Sequence, residues 1–410
     1  MDGSLFEVGK RFLLGTNAVV TIDRHLVTGS GKQIYVATSE EGPVLLTWID
    51  EGAIGPDEVE TLESMLRSGP PAAGFVWPEP VTASAILPGF GYIERPVKPP
   101  FESAAGLRWS SDLRTSTSVA FHLAEAFAAL HRNFYALTAF DLEMVAYEPI
   151  AGDFRLDRCC DRVATFARSR HLSGDLRFVA PEAQRADAVA STENDLWALA
   201  VAISYLLLRN HPLEGARKLG GQAVYGLDAL FIFDPEDVSN APVPEFQGQL
   251  IERWARLPGF LKEKLLQTFT RGIPDPSQRV TGAEWMAALA QLRDSIFIDD
   301  EGQEAFFDPS QGPGPARLLF GDRYVMLNHD TRLYAHHLLP ANRYDFSVPM
   351  AEVSQHPTDP SIRGLRNLTE EPWKITTPQG RTKEVPPGKS LAIAPGTYVQ
   401  FGSVSAEIVA

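Results

Sequence analysis

The segment ENDLWALAVAISYLLL, 193–208, constrains this chain more than any other. It is apolar almost all round, so a helix built from it needs burial on every side. Its longest apolar run, Leu196 to Leu208, contains Ser204 and Tyr205 and is too short to span a bilayer. It predicts a core helix with a helical domain packed around it. At 410 residues the chain is long enough for two or three domains with their own cores.

Three zones follow. From Phe6 to Val97, short runs such as AVVTI, QIYVAT and PVLLTWI alternate with turn residues and predict strands. One helix, PDEVETLESMLRSG, interrupts them, with apolar residues at helical spacing and a Gly just past its end. From Ser111 to Asp294 the pattern is helical: SDLRTSTSVAFHLAEAFAALH opens on Ser/Asp capping chemistry, and TGAEWMAALAQLRD opens on a Thr281–Glu284 capping box. The stretch EGQEAFFDPSQGPGP, 301–315, is rich in Gly, Pro and acid and predicts a linker over 297–316. Short strands with turn signals return from 317 to 410 and predict a small β domain.

Charge narrows the partners. With 52 acidic against 37 basic residues, the net charge is −15. Phosphate contacts need a basic face, so nucleic acid and anionic membrane surfaces are disfavoured. Met1 to Lys10 lacks a basic start followed by an apolar core, so no signal peptide is expected. The two cysteines, Cys159 and Cys160, are adjacent. Such a pair is strained as a disulfide and cannot hold zinc alone, which suits a reduced, cytoplasmic protein.

The order of certain motifs carries more. Ala180-Pro181-Glu182, then Asp195-x-Trp197, then a late Arg279 follow a strand-rich lobe and sit in a helical one. This resembles the protein kinase fold over about residues 15–295. FVWPEPV (75–81), PGFGYIERPV (88–97), DLWALAVAISYLLLRNHPLEGAR (195–217) and FTRGIPDPSQRVTGAEW (269–285) make the resemblance narrower. They are similar to the divergent kinase-like proteins of bacterial tellurite-resistance-associated operons, which also encode a von Willebrand A protein and a metal-dependent Ser/Thr phosphatase. The resemblance implies an α+β, bilobal kinase-like fold with an N-lobe over 1–97 and a C-lobe over 98–296. It implies that Glu182 pairs with Arg279, and that Asp195 ties its helix to the backbone of the catalytic loop.

The catalytic parts fare differently. Phosphoryl transfer needs a Gly-rich loop, a strand Lys, a loop Asp, and an Asn and Asp on magnesium. LVTGSGKQIY, 26–35, offers Gly29 and Gly31, but Val27 and Lys32 stand at the other glycine positions. A Gly-Ser-Gly hairpin turn is the alternative. Thr47 takes the place of the strand Lys, and Lys32 is the one candidate substitute. Counted without gaps from Leu130-His131, the catalytic Asp falls on Ala139 and the Asn on Met144. Sliding by two offers Asp141, which otherwise reads as a capping or solvated carboxylate. The metal Asp falls near Arg158 in DRCCD, with Asp157 and Asp161 out of register. An Arg there repels magnesium.

The C-terminal GLRNLTEEPWKITTPQGRTKEVPPGKSLAIAPGTYVQFG, 364–402, resembles the closing half of a forkhead-associated (FHA) β-sandwich. Such domains read phosphothreonine, for which Arg332, Arg366 and Asn367 are candidates beside a reading as surface and turn residues. His336-His337 is expected on a strand, where neighbours point to opposite faces, so no metal site is expected. The expectation is a catalytically impaired scaffold or allosteric regulator without a cofactor. Its partners would be a kinase, phosphatase or von Willebrand A protein. The alternative is an active divergent Ser/Thr kinase using ATP and magnesium through Asp141, Lys32 and Asp157 or Asp161.

Overall fold

The computed structural model describes the chain except residues 1–4, 15–17, 30, 83–88, 110–111, 151, 168–169, 186, 300, 356–357 and 359–361. Ser30 of the Gly-Ser-Gly segment and Pro88 of PGFGYIERPV therefore lie outside the described residues. The fold is mixed α+β and divides into two compact units. Unit 1 holds residues 1–111, 118–253 and 264–286; unit 2 holds 112–117, 254–263 and 287–410.

Unit 1 begins with β1 (Arg11–Leu14), β2 (Val19–Gly29), β3 (Lys32–Ser39), β4 (Gly42–Ile49), β5 (Glu79–Thr82) and β6 (Phe90–Glu94). They close a barrel in the order β1-β2-β3-β4-β6-β5. β3 alternates between buried and partly exposed positions along most of its length, as a strand packed on one face must. Val20, Ile22, Tyr35, Leu46, Trp48 and Ile93 fill the barrel with Phe6 and Phe12. Helix α1 (Pro56–Ser68) lies between β4 and β5 in the chain. Its Pro at the start, its acidic first turn and Gly69 at φ +68 just past its end are the start and stop signals visible in the sequence.

The helices are α2 (Leu113–Arg132), α3 (Cys159–Arg162), α4 (Thr192–Leu208), α5 (Ala216–Leu219), α6 (Pro244–Arg256), α7 (Gly259–Leu266), α8 (Gly282–Asp294) and α9 (Ala335–Leu338). In α4 every residue from Asn194 to Leu208 is buried. Ser191 caps it by accepting the Asn194 amide at 3.2 Å. Thr281 and Glu284 exchange capping-box bonds, Thr281 N to Glu284 Oε2 at 2.9 Å and Glu284 N to Thr281 Oγ1 at 3.3 Å. Among the described residues no helix is long and apolar enough to cross a membrane.

Unit 2 contains a β-sandwich. A six-stranded sheet, with strands at 317–320, 323–326, 373–376, 382–385, 397–401 and 404–409, shares one core with a four-stranded sheet at 332–334, 349–355, 363–367 and 390–392. Trp373, Leu318, Leu333, Leu365 and Ile408 are all within that core. The stretch 297–316, expected to be a linker, is built into this unit. Strand Ile296–Ile298 pairs with Glu304–Phe306, and Phe307 packs on Tyr324 and Met326. Gly314 there serves close packing rather than flexibility: a Cβ on it would lie 2.1 Å from the Phe307 ring.

Candidate functional site

The candidate site in unit 1 gathers around Lys32. β2 and β3 meet in a tight turn, with Gly29 opposite Lys32. Gly31 has φ +71, and a Cβ there would meet the Ala53 Cβ at 2.3 Å, so this turn requires glycine. The Lys32 ammonium lies 2.9 Å from Glu58 on α1 and 3.8 Å from Asp161 on α3. Thus the Lys that the sequence offers as a substitute does meet a helix carboxylate and one of the out-of-register aspartates. Asp161 is 70% exposed, so water screens its share of the pairing.

Thr47 is buried and stands opposite Tyr92 in the β4–β6 ladder. The Tyr92 hydroxyl bonds it, and burial pushes that phenol far up. Two residues along β6, Glu94 hydrogen-bonds the Cys160 thiol of α3. Burial raises the Glu94 carboxyl to about 7; the Asp161 and Asp157 carboxylates add to this, while the thiol bond and Lys32 oppose it. Cys160 is held neutral by burial and by the Glu94 charge. Tyr92, Glu94 and Glu58 carry no signal of their own in the sequence, and Cys160 stands out there only as one of two adjacent thiols. Each lies in an ordinary strand or helix pattern, and only the fold brings them together.

The residues that the kinase resemblance aligns with a catalytic loop are buried, and neither an alanine nor a methionine side chain transfers protons or suits magnesium. Ala139 is buried and faces Gly174, where an added Cβ would come within 3.0 Å of its own. Met144 is completely buried. Asp141 caps the 3₁₀ turn Leu142–Met144 by accepting the Glu143 amide at 2.9 Å, and it pairs with Arg162 at 2.8 Å. Arg158, at the expected metal position, is exposed with left-handed backbone, φ +58, and its amide bonds Asp157 at 2.7 Å. A non-glycine residue in that conformation carries strain that its surroundings must hold.

The scaffold residues are fully engaged. Arg279 is 2% exposed and forms two bonds of 2.7 Å to Glu182, with further bonds to Gly272 O at 3.0 Å and Glu193 O at 2.8 Å. This planar fork satisfies the guanidinium without water. Asp195 accepts the Leu137 amide at 3.1 Å and faces His131 Nε2 at 3.0 Å. Burial pushes its carboxyl up, and the His131 bond offsets part of that. Ala180 is tied to the same helix, its amide donating to Asn194 at 2.9 Å.

In unit 2 the phosphopeptide candidates separate. Arg332 and Arg366 are exposed and flank Glu352 across the sheet, with Arg366 at 3.4 Å from it. Asn367 is fully buried; its amide group donates to Glu371 O and Val385 O and accepts the Thr369 amide. It holds a turn and offers nothing to a ligand.

His336 and His337 require a correction. They lie on α9, one helical turn, rather than on a strand, so both rings can face the same side, with centroids 5.0 Å apart. With Asp294 they bring ligand-type atoms within 4.8 Å of one another. The hydrogen bonds argue against a cation. His337 Nδ1 accepts the Tyr334 amide at 2.8 Å, and His336 Nδ1 accepts the Tyr344 amide at 2.9 Å. Both neutral rings therefore carry their proton on Nε2, where a metal would need a lone pair. His337 uses that proton on Asp294 at 3.1 Å. Comparison with protein-family models and with curated proteins finds no match to this chain.

Proposed function

We propose that the chain is a kinase-like protein without working phosphotransfer groups, acting as a scaffold or allosteric regulator of partner proteins in a bacterial phospho-signalling or stress-response system. One contrast carries this reading. The Glu182–Arg279 fork and the Asp195–Leu137 bond are formed, while Ala139, Met144 and Thr47 fill the base, metal and lysine positions with buried side chains. The insertion of α1 between β4 and β5 of an antiparallel barrel, followed by helices around a buried α4, supports the kinase-like part. A sandwich of six and four strands supports the FHA-like part. The partners would be a kinase, phosphatase or von Willebrand A protein, met through surface rather than through ATP.

A specific observation favours a second reading, an active divergent Ser/Thr kinase. Kinases pair a strand Lys with a helix Glu, and Lys32–Glu58 at 2.9 Å reproduces that pair from a neighbouring strand. Asp161 or Asp157 would then hold magnesium. The test is thermal unfolding of the full chain with ATP, with and without Mg²⁺ or Mn²⁺. A ligand that binds only the native state raises Tm by mass action. No rise up to millimolar ATP is expected. A metal-dependent rise that Asp161→Asn abolishes would replace the scaffold reading with the kinase one.

A further inference from the structure

Unit 2 contains a cleft of about 480 Å³ beside α9 and the last turns of α8. His336 lines it and is 8% exposed. Its Nδ1 is taken by the Tyr344 amide, so its Nε2 carries the proton, and that N–H has no hydrogen bond among the described residues. That N–H opens to the cleft, where water or a ligand oxygen can accept from it. The ring is held in place by stacking on Tyr344, 5.4 Å between centroids and 16° between planes.

Two cations share the wall. Arg323 and Arg343 are exposed, and neither forms an ion pair among the described residues. Arg343 lies over the Tyr344 ring at 4.9 Å. Two carboxylates also line the cleft: Asp294 is engaged by His337, and Asp322 stands exposed. Asp322 opposes anions, which sets affinity low without removing the donor set.

We propose that this cleft is a binding site for a small oxyanion, the group shared by phosphate and carboxylate ligands, held by the His336 Nε2–H and the Arg323 and Arg343 guanidinium groups. Donors of this kind match an acceptor-only ligand and mismatch a cation. The ring stays neutral for this role, since burial holds its pKa at about 4. The site differs from the sheet face carrying Arg332 and Arg366, and it does not depend on the kinase-like reading of unit 1.

The experiment follows the histidine ring N–H signals of the full chain by NMR at neutral pH. Inorganic phosphate, acetate and Zn²⁺ are titrated separately. Phosphate is expected to shift the His336 Nε2–H signal saturably, and Arg323→Gln with Arg343→Gln to weaken this about tenfold or more. A shift with phosphate alone assigns a phosphoryl ligand, and a shift with both anions assigns oxyanions in general. The proposal is overturned if neither anion gives a saturable shift, if the double variant binds equally well, or if Zn²⁺ saturably removes both Nε2–H signals.

Discussion

Arg279 shows how a single side chain can be both costly and indispensable. Its charge is withdrawn from water and returned by four hydrogen bonds. Arg279→Ala removes these bonds but leaves Glu182, whose side chain is 39% exposed, open to water, and it is expected to cost roughly 1.5–3 kcal/mol in chemical denaturation. Two titrating groups act with opposite signs. His211 is buried, donates to the Arg177 carbonyl at 2.8 Å, accepts the Leu213 amide at 3.1 Å, and is lowered from 6.5 to about 4 by burial. Between those values the unfolded chain binds the extra proton, so stability falls as pH drops from 6.5 toward 4, by up to about 3 kcal/mol. His211→Gln should flatten this slope in urea unfolding at pH 7 and pH 5. Glu94 is raised from 4.5 to about 7 by burial, so here the native state holds the proton and stability falls as pH rises through that window. Glu94→Gln should therefore stabilise at pH 8, by up to about 3 kcal/mol, and do little at pH 4. Equal effects at both pH values would show that its carboxyl is not titrating near neutrality.

At the scale of elements, the helix signals in the sequence are local chemistry and the structure contains them. The Thr281–Glu284 box and Gly69 lie where the pattern places them. Ser191→Ala is expected to cost about 1 kcal/mol, since it frees the Asn194 amide at the start of the core helix. The composition of 297–316 signals a linker, but composition does not reveal packing. Its hairpin depends on Phe307 meeting Tyr324, seventeen residues away and in another strand. Gly314→Ala should destabilise by roughly 1–3 kcal/mol, because the new Cβ meets the Phe307 ring. A thermal unfolding midpoint unchanged by this substitution would mean that the ring can move aside. The α9 turn was hidden for a similar reason: its cap is the His337 ring accepting the Tyr334 amide, a bond absent from the usual capping residues.

For the molecule as a whole, scaffold and chemistry separate cleanly. Groups that hold loops to helices are present in matched pairs. On the proposed kinase-like reading, Thr47, Ala139, Met144 and Arg158 stand where groups for nucleotide and metal would be needed. Lys32 at the turn is already paired with Glu58, with Asp161, Glu94 and Asp157 around it. An acidic site whose Lys is already paired disfavours a polyphosphate unless divalent metal accompanies it. Hence ATP without metal is expected to leave Tm unchanged, and calorimetric titration of ATP should give no heat of binding.

The sequence by itself determined the zones, the buried helix at 193–208 and the helix ends. Those depend on periodicity and local hydrogen bonding, which neighbours in the chain decide. Only the tertiary structure decided which carboxylates meet Lys32, that Asp141 pairs with Arg162, that Asn367 is buried, and that His336 and His337 face one cleft. Each of those depends on backbone groups and side chains from distant segments, and no spacing along the chain specifies them.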